Sequence, residues 1–445
     1  MWFCWPDATK VGEEQEDDEE EMSTIDGVKI CSPGAWPPRF ATEPERLVTI
    51  ATWNTLRRHY AFRGHSWVPS KHRDWKHRQD ALHKEMSKFS ADFLCLQEAE
   101  LRDLDKDFVE PLSTSGYKHV TADPKGGHDH TKPVIFYNSS RFELLWCKPK
   151  SRAVVAHFKE ITSDNSLIIA SCHLQGGQQA PTRYTQGRSI LKAIDHRMRS
   201  LDPGSPRARS ASSSRSPGRK RGKRDSSSRD DSSSNNEESS QAIGHVSRPK
   251  ESETTPPRPA CIICGDFNAY RDDPSIRLFK AGRFSKKDWI IDDGEPPRRI
   301  DFSAPMVGGL ADAYSVMDLK GEEGTRPYTF QWGAMMTENK VHRMIIDYIL
   351  HTPPPPPPSP SSPPLDSKGA SSSAKSFKAK RSRQQDVLHN RSGLKLRALR
   401  TPLGPRRRKE MARNGVGIPN AWHPSDHFPL AAVFEFAAPK QRRLH

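Results

Sequence analysis

The segment Cys261–Ala269 constrains the fold of this chain more than any other stretch of its sequence. It reads C-I-I-C-G-D-F-N-A, an apolar run that enters a tight turn. A short apolar run that ends at a glycine is typical of a buried strand followed by a close turn. Asp266 and Asn268 therefore follow a strand directly, at the edge where α/β folds place their sites. An Asx-turn without function is the competing interpretation of these residues taken alone.

Other apolar segments of the chain also adjoin polar residues. Strands are predicted at 47–54, 92–98, 167–174 and 428–436, and helices at 74–89 and 181–201. The polar residues that end or precede these strands are Asn54, Glu98, His173, Asp426 and His427. Because such ends meet at one edge of a sheet, these side chains are expected to lie close to Asp266.

Asp347 differs from these residues because it is predicted to lie in the middle of a strand at 342–350. A buried carboxylate is costly unless it is paired or hydrogen-bonded, and a histidine is a natural partner. Asp347 would hold His427 in one tautomer and favour its protonated form.

Two internal segments and the N-terminus lack the periodicity of helices or strands. Only 33% of the residues are hydrophobic and 38 are prolines, which predicts that part of the chain is unfolded. We assign 1–45 to an acidic disordered tail, 203–259 to an Arg/Ser-rich disordered insert and 353–412 to a Pro-rich and basic disordered insert. Both inserts interrupt a single pattern, so 46–437 is predicted to be one domain.

The charge and the cysteines restrict the partners and the compartment. A formal net charge of +15 indicates a polyanionic partner, although most of the excess lies in the two inserts. Seven cysteines without regular spacing favour a reducing, intracellular compartment, in the nucleus, the cytoplasm or both. No apolar run approaches the roughly 20 residues of a membrane span, so we expect no membrane association.

The polar residues fit the hydrolysis of a phosphate ester. That reaction needs an attacking water, positive charge at the phosphoryl oxygens and help for the leaving oxygen. Asp266 can take the proton of the water while Asn268 orients it. Glu98 with Asp426 or Asn54 offers the hard oxygen ligands that suit Mg²⁺. Histidines 173 and 427 can donate hydrogen bonds to phosphate oxygens.

Six short motifs resemble the ordered motif set of the endonuclease/exonuclease/phosphatase superfamily, which has the DNase I-like fold. They are T-W-N at 52–54, L-Q-E at 96–98, C-H-L at 172–174, G-D-F-N at 265–268, I-D-Y at 346–348 and S-D-H at 425–427. The resemblance implies an α/β fold, a four-layer sandwich in which helices flank two packed mixed β-sheets. It also implies Mg²⁺, or Mn²⁺, held chiefly by Glu98. Asp266 and Asn268 would lie at the attacking water, and an Asp347–His427 pair at the scissile phosphate.

Further motifs resemble the carbon-catabolite-repression, nocturnin and Angel deadenylase group of that superfamily. They are D-W-x-x-R at 74–78, A-D-F-L-C-L-Q-E at 91–98, R-x-x-Q at 183–186 and I-C-G-D-F-N at 263–268. This resemblance implies that RNA, including poly(A), is the substrate. It also implies that Asn54, His173 and Arg183 contact the substrate.

Three functions remain open on the sequence alone. The leading hypothesis is a Mg²⁺-dependent phosphodiesterase that hydrolyses RNA as a 3′-to-5′ exoribonuclease. The Arg-Ser and Lys-Arg runs look nuclear, which keeps a DNA substrate open, with an abasic-site endonuclease or a tyrosyl-DNA phosphodiesterase as the alternative. A catalytically silent RNA-binding scaffold is the alternative from another class, but the motif residues are all present.

Overall fold

The computed structural model of the chain describes residues 21–41, 44–121, 131–202, 258–289, 295–320, 327–332, 342–354, 393–407, 418–420 and 422–437. The strands are β1 (Met22–Ile25), β2 (Val28–Cys31), β3 (Leu47–Asn54), β4 (Phe93–Gln97), β5 (Tyr117–Thr121), β6 (Val134–Asn138), β7 (Phe142–Lys150), β8 (Ala153–Glu160), β9 (Ser166–His173), β10 (Ala260–Asp266), β11 (Arg283–Phe284), β12 (Phe302–Ser303), β13 (Ala311–Asp312), β14 (Phe330–Trp332), β15 (His342–Met344), β16 (Asp347–His351), β17 (Leu394–Arg400) and β18 (Leu430–Phe436). The α-helices are α1 (Arg58–Gly64), α2 (Ser70–Arg73), α3 (Trp75–Ser87), α4 (Glu110–Ser113), α5 (Ala180–Ser200) and α6 (Pro274–Ala281). Short 3₁₀ helices lie at Pro44–Arg46, Leu101–Asp103, Lys286–Asp288 and Ala313–Lys320, and a π-helix lies at Asp105–Val109.

The strands form two large sheets in which parallel and antiparallel neighbours are mixed. The first sheet has the order β1-β2-β17-β18-β3-β4-β6-β5, and the second has the order β13-β16-β10-β9-β8-β7. Two small ribbons, β11–β12 and β14–β15, lie apart from them. The predicted architecture of two packed mixed sheets flanked by helices is confirmed. Among the described residues, no helix combines the length and the apolar character needed to cross a membrane.

The strand β10 is buried on both faces because its side chains alternate between two apolar clusters. Ile262 belongs to the cluster between the sheets, together with Phe434 of the first sheet. Ile263 belongs to the cluster beneath α5 and α6, together with Ile194. Successive side chains of a strand point to opposite faces, so a strand covered on both faces must be apolar throughout. This double burial holds the C-terminal end of β10 in place.

The strand register explains why polar groups gather at one edge. Asp266, at the end of β10, lies opposite His173 in the parallel strand β9 and opposite Asp347 in the antiparallel strand β16. In the first sheet, β3 and β4 run parallel, so Asn54 lies next to the end of β4, directly before Glu98. Each sheet therefore delivers its polar residues to the same edge.

The predicted acidic tail at 1–45 is wrong for its later part. Strands β1 and β2 form a hairpin, and β2 pairs in parallel with β17. Trp36 is buried, and its Nε1 donates to the carbonyl of Phe89 at 3.0 Å. The neighbouring acidic run hid this hairpin, because such a charge density is typical of a solvated segment. Residues 1–20 lie outside the described part of the chain.

The predicted basic insert at 353–412 is wrong near its end, where β17 pairs with β18 and β2. The basic residues of β17 obscured its alternation of apolar side chains. Its two arginines are paired within the fold: buried Arg400 forms an ion pair with Glu85, and Arg397 forms one with Glu435. Residues 355–392 and 408–412 of this insert, and 203–257 of the other, lie outside the described residues. Residues 199–256 separate as a unit of their own, of which 199–202 are described.

The predicted strand at 342–350 is two strands that belong to different sheets. β15 pairs with β14, whereas β16 joins the second sheet beside β10. The predicted position of Asp347 in the middle of a strand is wrong: it is the first residue of β16. Because β16 is antiparallel to β10, its first residue reaches the same edge as the last residue of β10. Strand β8 has no counterpart among the predicted strands.

We expect the fold to lose stability as the pH falls from about 6.5 to about 4, since buried histidines are held neutral. Burial, and then the nearby Arg197 guanidinium, lower the pKa of His157 from 6.5 to about 4. Above pH 6.5 the neutral ring contributes its full stabilisation, and this is lost as the unfolded state binds a proton at lower pH. The wild-type protein should lose unfolding free energy between pH 7 and pH 4.5. The His157→Gln variant should lose about 2 kcal/mol less over the same range.

Urea unfolding at pH 7 and pH 4.5 measures this difference, with His196→Gln, at an exposed position, as the matched control. Equal pH dependence in His157→Gln and the wild-type protein would contradict the assignment of a neutral buried ring.

Candidate functional site

Asp266 lies at the centre of the site. The residue before it, Gly265, allows the backbone of β10 to pass very close to the backbone of β9. Gly265 has a φ of +132°, and a Cβ there would lie 2.0 Å from the carbonyl oxygen of Cys172. Only glycine fits this position without moving the backbone. The backbone N–H of Leu174 donates to the Asp266 carbonyl at 2.9 Å, which keeps the two strand ends together. The Asp266 side chain is buried beneath them.

Two carboxylates from different sheets meet across the amide of Asn54. Its Nδ2 donates to Glu98 Oε1 at 3.1 Å and to Asp266 Oδ2 at 3.0 Å. Glu98 Oε2 accepts the backbone N–H of Arg57 at 2.9 Å. Both carboxylates are buried, so their repulsion is poorly screened and favours a cation nearby. The structure thus brings together three predicted residues: Asn54, Glu98 and Asp266.

Left-handed backbone conformations mark the same region. Glu98 has a φ of +59°, Asn268 a φ of +48°, and Leu56, in the loop after β3, a φ of +55°. Residues other than glycine adopt such angles rarely, at an expense of roughly 1–3 kcal/mol each. Strained residues of this kind cluster at functional sites, because the surrounding structure must enforce them.

The predicted pair of Asp347 and His427 lies within hydrogen-bonding distance. His427 Nδ1 is 3.0 Å from Asp347 Oδ2, and His427 Nε2 is 3.7 Å from Asp266 Oδ2. The carbonyl of His427 accepts a hydrogen bond from Trp53 Nε1 at 2.7 Å. Asp347 therefore holds the His427 ring through Nδ1, and Trp53 of the first sheet holds the backbone of His427.

The protonation of this pair follows from its surroundings. Burial opposes a charge on the ring, but the carboxylates of Asp347 and Asp266 outweigh it and raise the pKa of His427 to about 10. Burial raises the pKa of Asp347 to about 6, although the imidazolium of His427 lowers it. At neutral pH the two residues form an ion pair, in which Nδ1–H donates to Asp347. The Nε2–H then remains as a donor on the side of Asp266.

Asn268 fixes the orientation of Asp266. Its backbone N–H donates to Asp266 Oδ1 at 2.8 Å, and its Nδ2 donates to Asp266 Oδ2 at 3.2 Å and to the carbonyl of Leu174 at 3.1 Å. Both Asp266 oxygens are thus held by the same neighbour. The predicted role of Asn268 at an attacking water stays a prediction.

His173 lies beside both carboxylates and is partly exposed. Its Nε2 is 3.7 Å from Glu98 Oε1 and 3.5 Å from Asp266 Oδ2, with 15% of its side chain exposed. It can therefore donate to these oxygens or to an incoming anionic group.

Asp426 adjoins His427 in sequence, but its described contacts point elsewhere. Its Oδ2 is 3.2 Å from Nε2 of His65. Burial would raise the pKa of Asp426, but the hydrogen bond with His65 and the charge of His427 lower it to about 2. No described contact joins Asp426 to Glu98, so the predicted metal ligands are brought together only in part. His65 follows α1 in a stretch without periodicity, which is why sequence patterns missed it.

A second group of side chains of metal-binding type also lies at this edge, although the imidazolium form of His427 has no lone pair to offer an ion. Within the described residues, one ligand atom each of Asp266, Asp347 and His427 lie within 4.8 Å of one another. Asp266 belongs to this cluster and also lies beside Glu98, with Asn54 bridging the two carboxylates. The acidic cluster at this edge is therefore centred on Asp266.

Arg183 lies outside this cluster. Its Nε and Nη2 are 2.9 Å and 2.7 Å from Asp273 Oδ2, and its Nη1 donates to the carbonyls of Gln175 and Gly177. These contacts hold the turn that follows His173. Its predicted contact with substrate stays a prediction.

Arg78 links the two loops that carry Asn54 and Asp426. It is buried, its Nη2 donates to the carbonyls of Thr55 and Leu56 at 2.5 Å each, and its Nε donates to the carbonyl of Pro424 at 2.7 Å. The carbonyls of two loops from distant parts of the chain are thus satisfied by one planar group.

We expect Arg78→Ala to destabilise the protein by about 3–5 kcal/mol, because three buried carbonyls lose their donor. Hydrolysis at the site should fall as well and should be partly restored by tens of millimolar guanidinium chloride, whereas sodium chloride should have no such effect.

The matched control is Arg141→Ala, whose guanidinium pairs with Asp92 and Glu160 at the opposite end of the sheets. It should destabilise the protein without any rescue of activity by guanidinium. Identical responses of the two variants would contradict a positioning role for Arg78.

Comparison with known proteins assigns this chain to a family. The family model described as Endonuclease/Exonuclease/phosphatase family matches residues 51–427. The chain belongs to this family. All six motifs that suggested the resemblance lie within the match, and the predicted family is confirmed. The edge at which this family member gathers its polar residues is therefore its candidate active site.

Relatives of this family member lie in the group that the sequence suggested. The CCR4-Not complex 3′-5′-exoribonuclease subunit Ccr4 of Debaryomyces hansenii is 21% identical over 430 residues, which cover 87% of this chain and 39% of the relative. The Saccharomyces cerevisiae subunit of the same name is 31% identical over 110 residues, covering 23% of this chain and 13% of the relative. The chain thus spans well under half the length of these relatives.

A solved structure shows the same fold. The crystal structure of ANGEL2, a 2′,3′-cyclic phosphatase, superposes with a TM-score of 0.55 at 16% identity, and the match covers 87% of this chain and 95% of that chain. The two-sheet arrangement is therefore shared with a member of the Angel group.

Proposed function

We propose that this family member is a Mg²⁺-dependent phosphodiesterase that shortens RNA from its 3′ end, with poly(A) among its substrates. The observation that carries the proposal is the meeting of Glu98 and Asp266 across Asn54, beside the Asp347–His427 pair. The similarity to Ccr4 proteins, which are named 3′-5′-exoribonucleases, supports RNA as the substrate and the direction of cleavage.

The oxygen atoms at the site fit a hard divalent cation. Glu98 Oε1 and Asp266 Oδ2 accept from the same amide nitrogen, so two carboxylates share a small, buried volume. Mg²⁺ prefers one or two carboxylates of this kind, and Mn²⁺ accepts the same ligands. A bound ion would supply positive charge to the phosphoryl oxygens and the leaving oxygen.

The side chains of the chain itself supply proton transfer and orientation. Asp266 would take a proton from water as the water oxygen bonds to phosphorus and the bond to the 3′-oxygen of the preceding nucleotide breaks, and the released 3′-oxyanion would take up a proton from solvent to become a hydroxyl. Asn268 holds the accepting carboxylate in place. His427, charged through Asp347, would donate its Nε2–H to a phosphoryl oxygen, and His173 would donate from the other strand.

The proposal is tested by incubating purified protein with 5′-labelled, A-tailed RNA and Mg²⁺. We expect a ladder of RNAs shortened from the 3′ end, shortening slowed by about 100-fold or more with Asp266→Asn, and normal shortening with the control Asp164→Asn, whose side chain is 82% exposed. Absence of shortening by the wild-type protein, or equal shortening by Asp266→Asn, would refute it.

Further substrates in the same assay separate the alternatives. Faster turnover of abasic or 5′-tyrosyl DNA than of RNA would favour a DNA-repair nuclease. RNA binding without turnover of any substrate would favour a silent scaffold.

A further inference from the structure

A cleft of about 520 Å³ opens directly beside the candidate active site. It is lined by Arg57, Arg58, His59, Phe62, Glu100 and Arg102, between α1 and the 3₁₀ turn that begins at Leu101. The backbone N–H of Arg57 also donates to Glu98 Oε2 at 2.9 Å, so the wall of the cleft continues into the site. A molecule that reaches the carboxylates can extend into this cleft.

One wall of the cleft is an exposed aromatic ring held in place. Phe62 is 55% exposed, which is unusual for a large apolar side chain. The guanidinium of Arg73 lies 5.3 Å from the centre of its ring and donates to the Phe62 carbonyl at 2.9 Å. Helix α1 therefore presents a flat apolar face to solvent beside positive charge.

The arginines around this ring differ in how closely carboxylates hold them. Arg58 is held by Glu100, Asp103 and Asp107 at 2.5–2.7 Å, and its single positive charge balances one of their three negative charges. The side chain of Arg102 is 87% exposed and lies 3.4 Å from Asp103, which Arg58 already occupies. Arg57 Nε lies 3.6 Å from Glu100 Oε1, so Arg57 and Arg102 are each paired with a carboxylate at longer distance than Arg58 and keep further N–H donors on the cleft wall.

We propose that this cleft binds a nucleotide of single-stranded RNA outside the catalytic centre. A base would stack on Phe62, and a phosphate would lie against Arg57 and Arg102. Aromatic faces combined with arginines are the elements by which proteins hold single strands, since every base has a flat face and every linkage a charge. The volume of the cleft suits a ligand of nucleotide size. This inference rests on the proposed function and defines part of its substrate site.

The test measures RNA binding by the full chain carrying Asp266→Asn, so that the probe is not cut. The probe is a fluorescent 20-nucleotide oligoadenylate, and its dissociation constant is determined by anisotropy at several salt concentrations. Adding Phe62→Ala should weaken binding about tenfold, whereas Phe62→Tyr should retain it. Adding Arg102→Ala, at a side chain that is 87% exposed, should reduce the salt dependence by about 0.7 in the log–log slope.

Ile161→Ala is the matched control, because Ile161 is also 55% exposed but follows β8 at the opposite end of the sheet. Equal RNA affinity in the Phe62→Ala and Ile161→Ala proteins, with an unchanged slope for Arg102→Ala, would overturn the inference and leave a protein partner as the occupant. Failure of the proposed function is seen separately, as absence of Mg²⁺-dependent hydrolysis of bis(p-nitrophenyl) phosphate by the wild-type protein.

Discussion

Replacing Asp266 by asparagine should slow the hydrolysis of A-tailed RNA by about 10²–10⁴-fold without unfolding the protein. The amide has the shape of the carboxylate and can still accept the backbone N–H of Asn268, but the nitrogen that replaces Oδ2 cannot take a proton from water or accept from the amides of Asn54 and Asn268. The substitution also removes one of the two carboxylates that raise the pKa of His427, so the imidazolium is stabilised less strongly. Both effects act on the same reaction step.

Single-turnover rates with 5′-labelled RNA measure this effect, and thermal unfolding monitors the fold. The control Asp164→Asn removes an exposed carboxylate and should leave both quantities unchanged. A rate for Asp266→Asn within tenfold of the wild-type rate would contradict the role assigned to this residue.

Replacing Glu98 by glutamine should raise the Mg²⁺ concentration required for half-maximal activity by about 100-fold or more. The neutral amide is a weaker ligand for a hard cation than a carboxylate. It also relieves the repulsion between Glu98 and Asp266, which Asn54 bridges at 3.1 Å and 3.0 Å. The amide nitrogen must, however, face either Asn54 Nδ2 or the backbone N–H of Arg57, so the second expected effect is a smaller gain in stability on adding the ion.

Thermal unfolding with and without Mg²⁺ tests this second effect independently of activity. The wild-type protein should gain stability on adding the ion, since a ligand that binds only the folded state stabilises it. Glu98→Gln should gain much less, and the exposed control Glu143→Gln should behave as the wild-type protein. Equal gains in all three proteins would show that Glu98 does not hold the ion.

The strands that carry the site could be read from the sequence because each is apolar on both faces. The predicted strands at 47–54, 92–98 and 167–174 agree with β3, β4 and β9 to within one residue at either end. Their buried character is local information, since a strand covered by helices on one side and a sheet on the other must be apolar. The polar residue that ends each strand then marks the edge.

Charge misled the sequence analysis in two places for the same reason. The acidic run before β1 and the basic residues of β17 are typical of solvated segments. In the fold, Arg400 and Arg397 pair with Glu85 and Glu435, which lie far away in sequence. The pairing that makes these charges compatible with a strand is not visible in the local pattern.

The sequence predicts that the motifs meet and that Asp347 pairs with His427, but it cannot predict the other contacts, because they depend on register across the sheets. The position of Asp347 opposite Asp266 follows from the pairing of β16 with β10. The hydrogen bond between His65 and Asp426 joins residues 361 positions apart, and neither lies in a described strand. Arg78 donates three hydrogen bonds to backbone carbonyls, and every residue type has such a carbonyl, so no sequence pattern indicates these contacts.

The central claim is that Glu98 of the first sheet and Asp266 of the second hold one divalent ion at their common edge. Anomalous diffraction from crystals of the wild-type protein soaked in Mn²⁺ tests it most directly. We predict a single strong peak at this edge in direct contact with both carboxylates, and its loss in Glu98→Gln crystals. A peak located instead at the His65–Asp426 pair, or no peak near Asp266, would contradict the account.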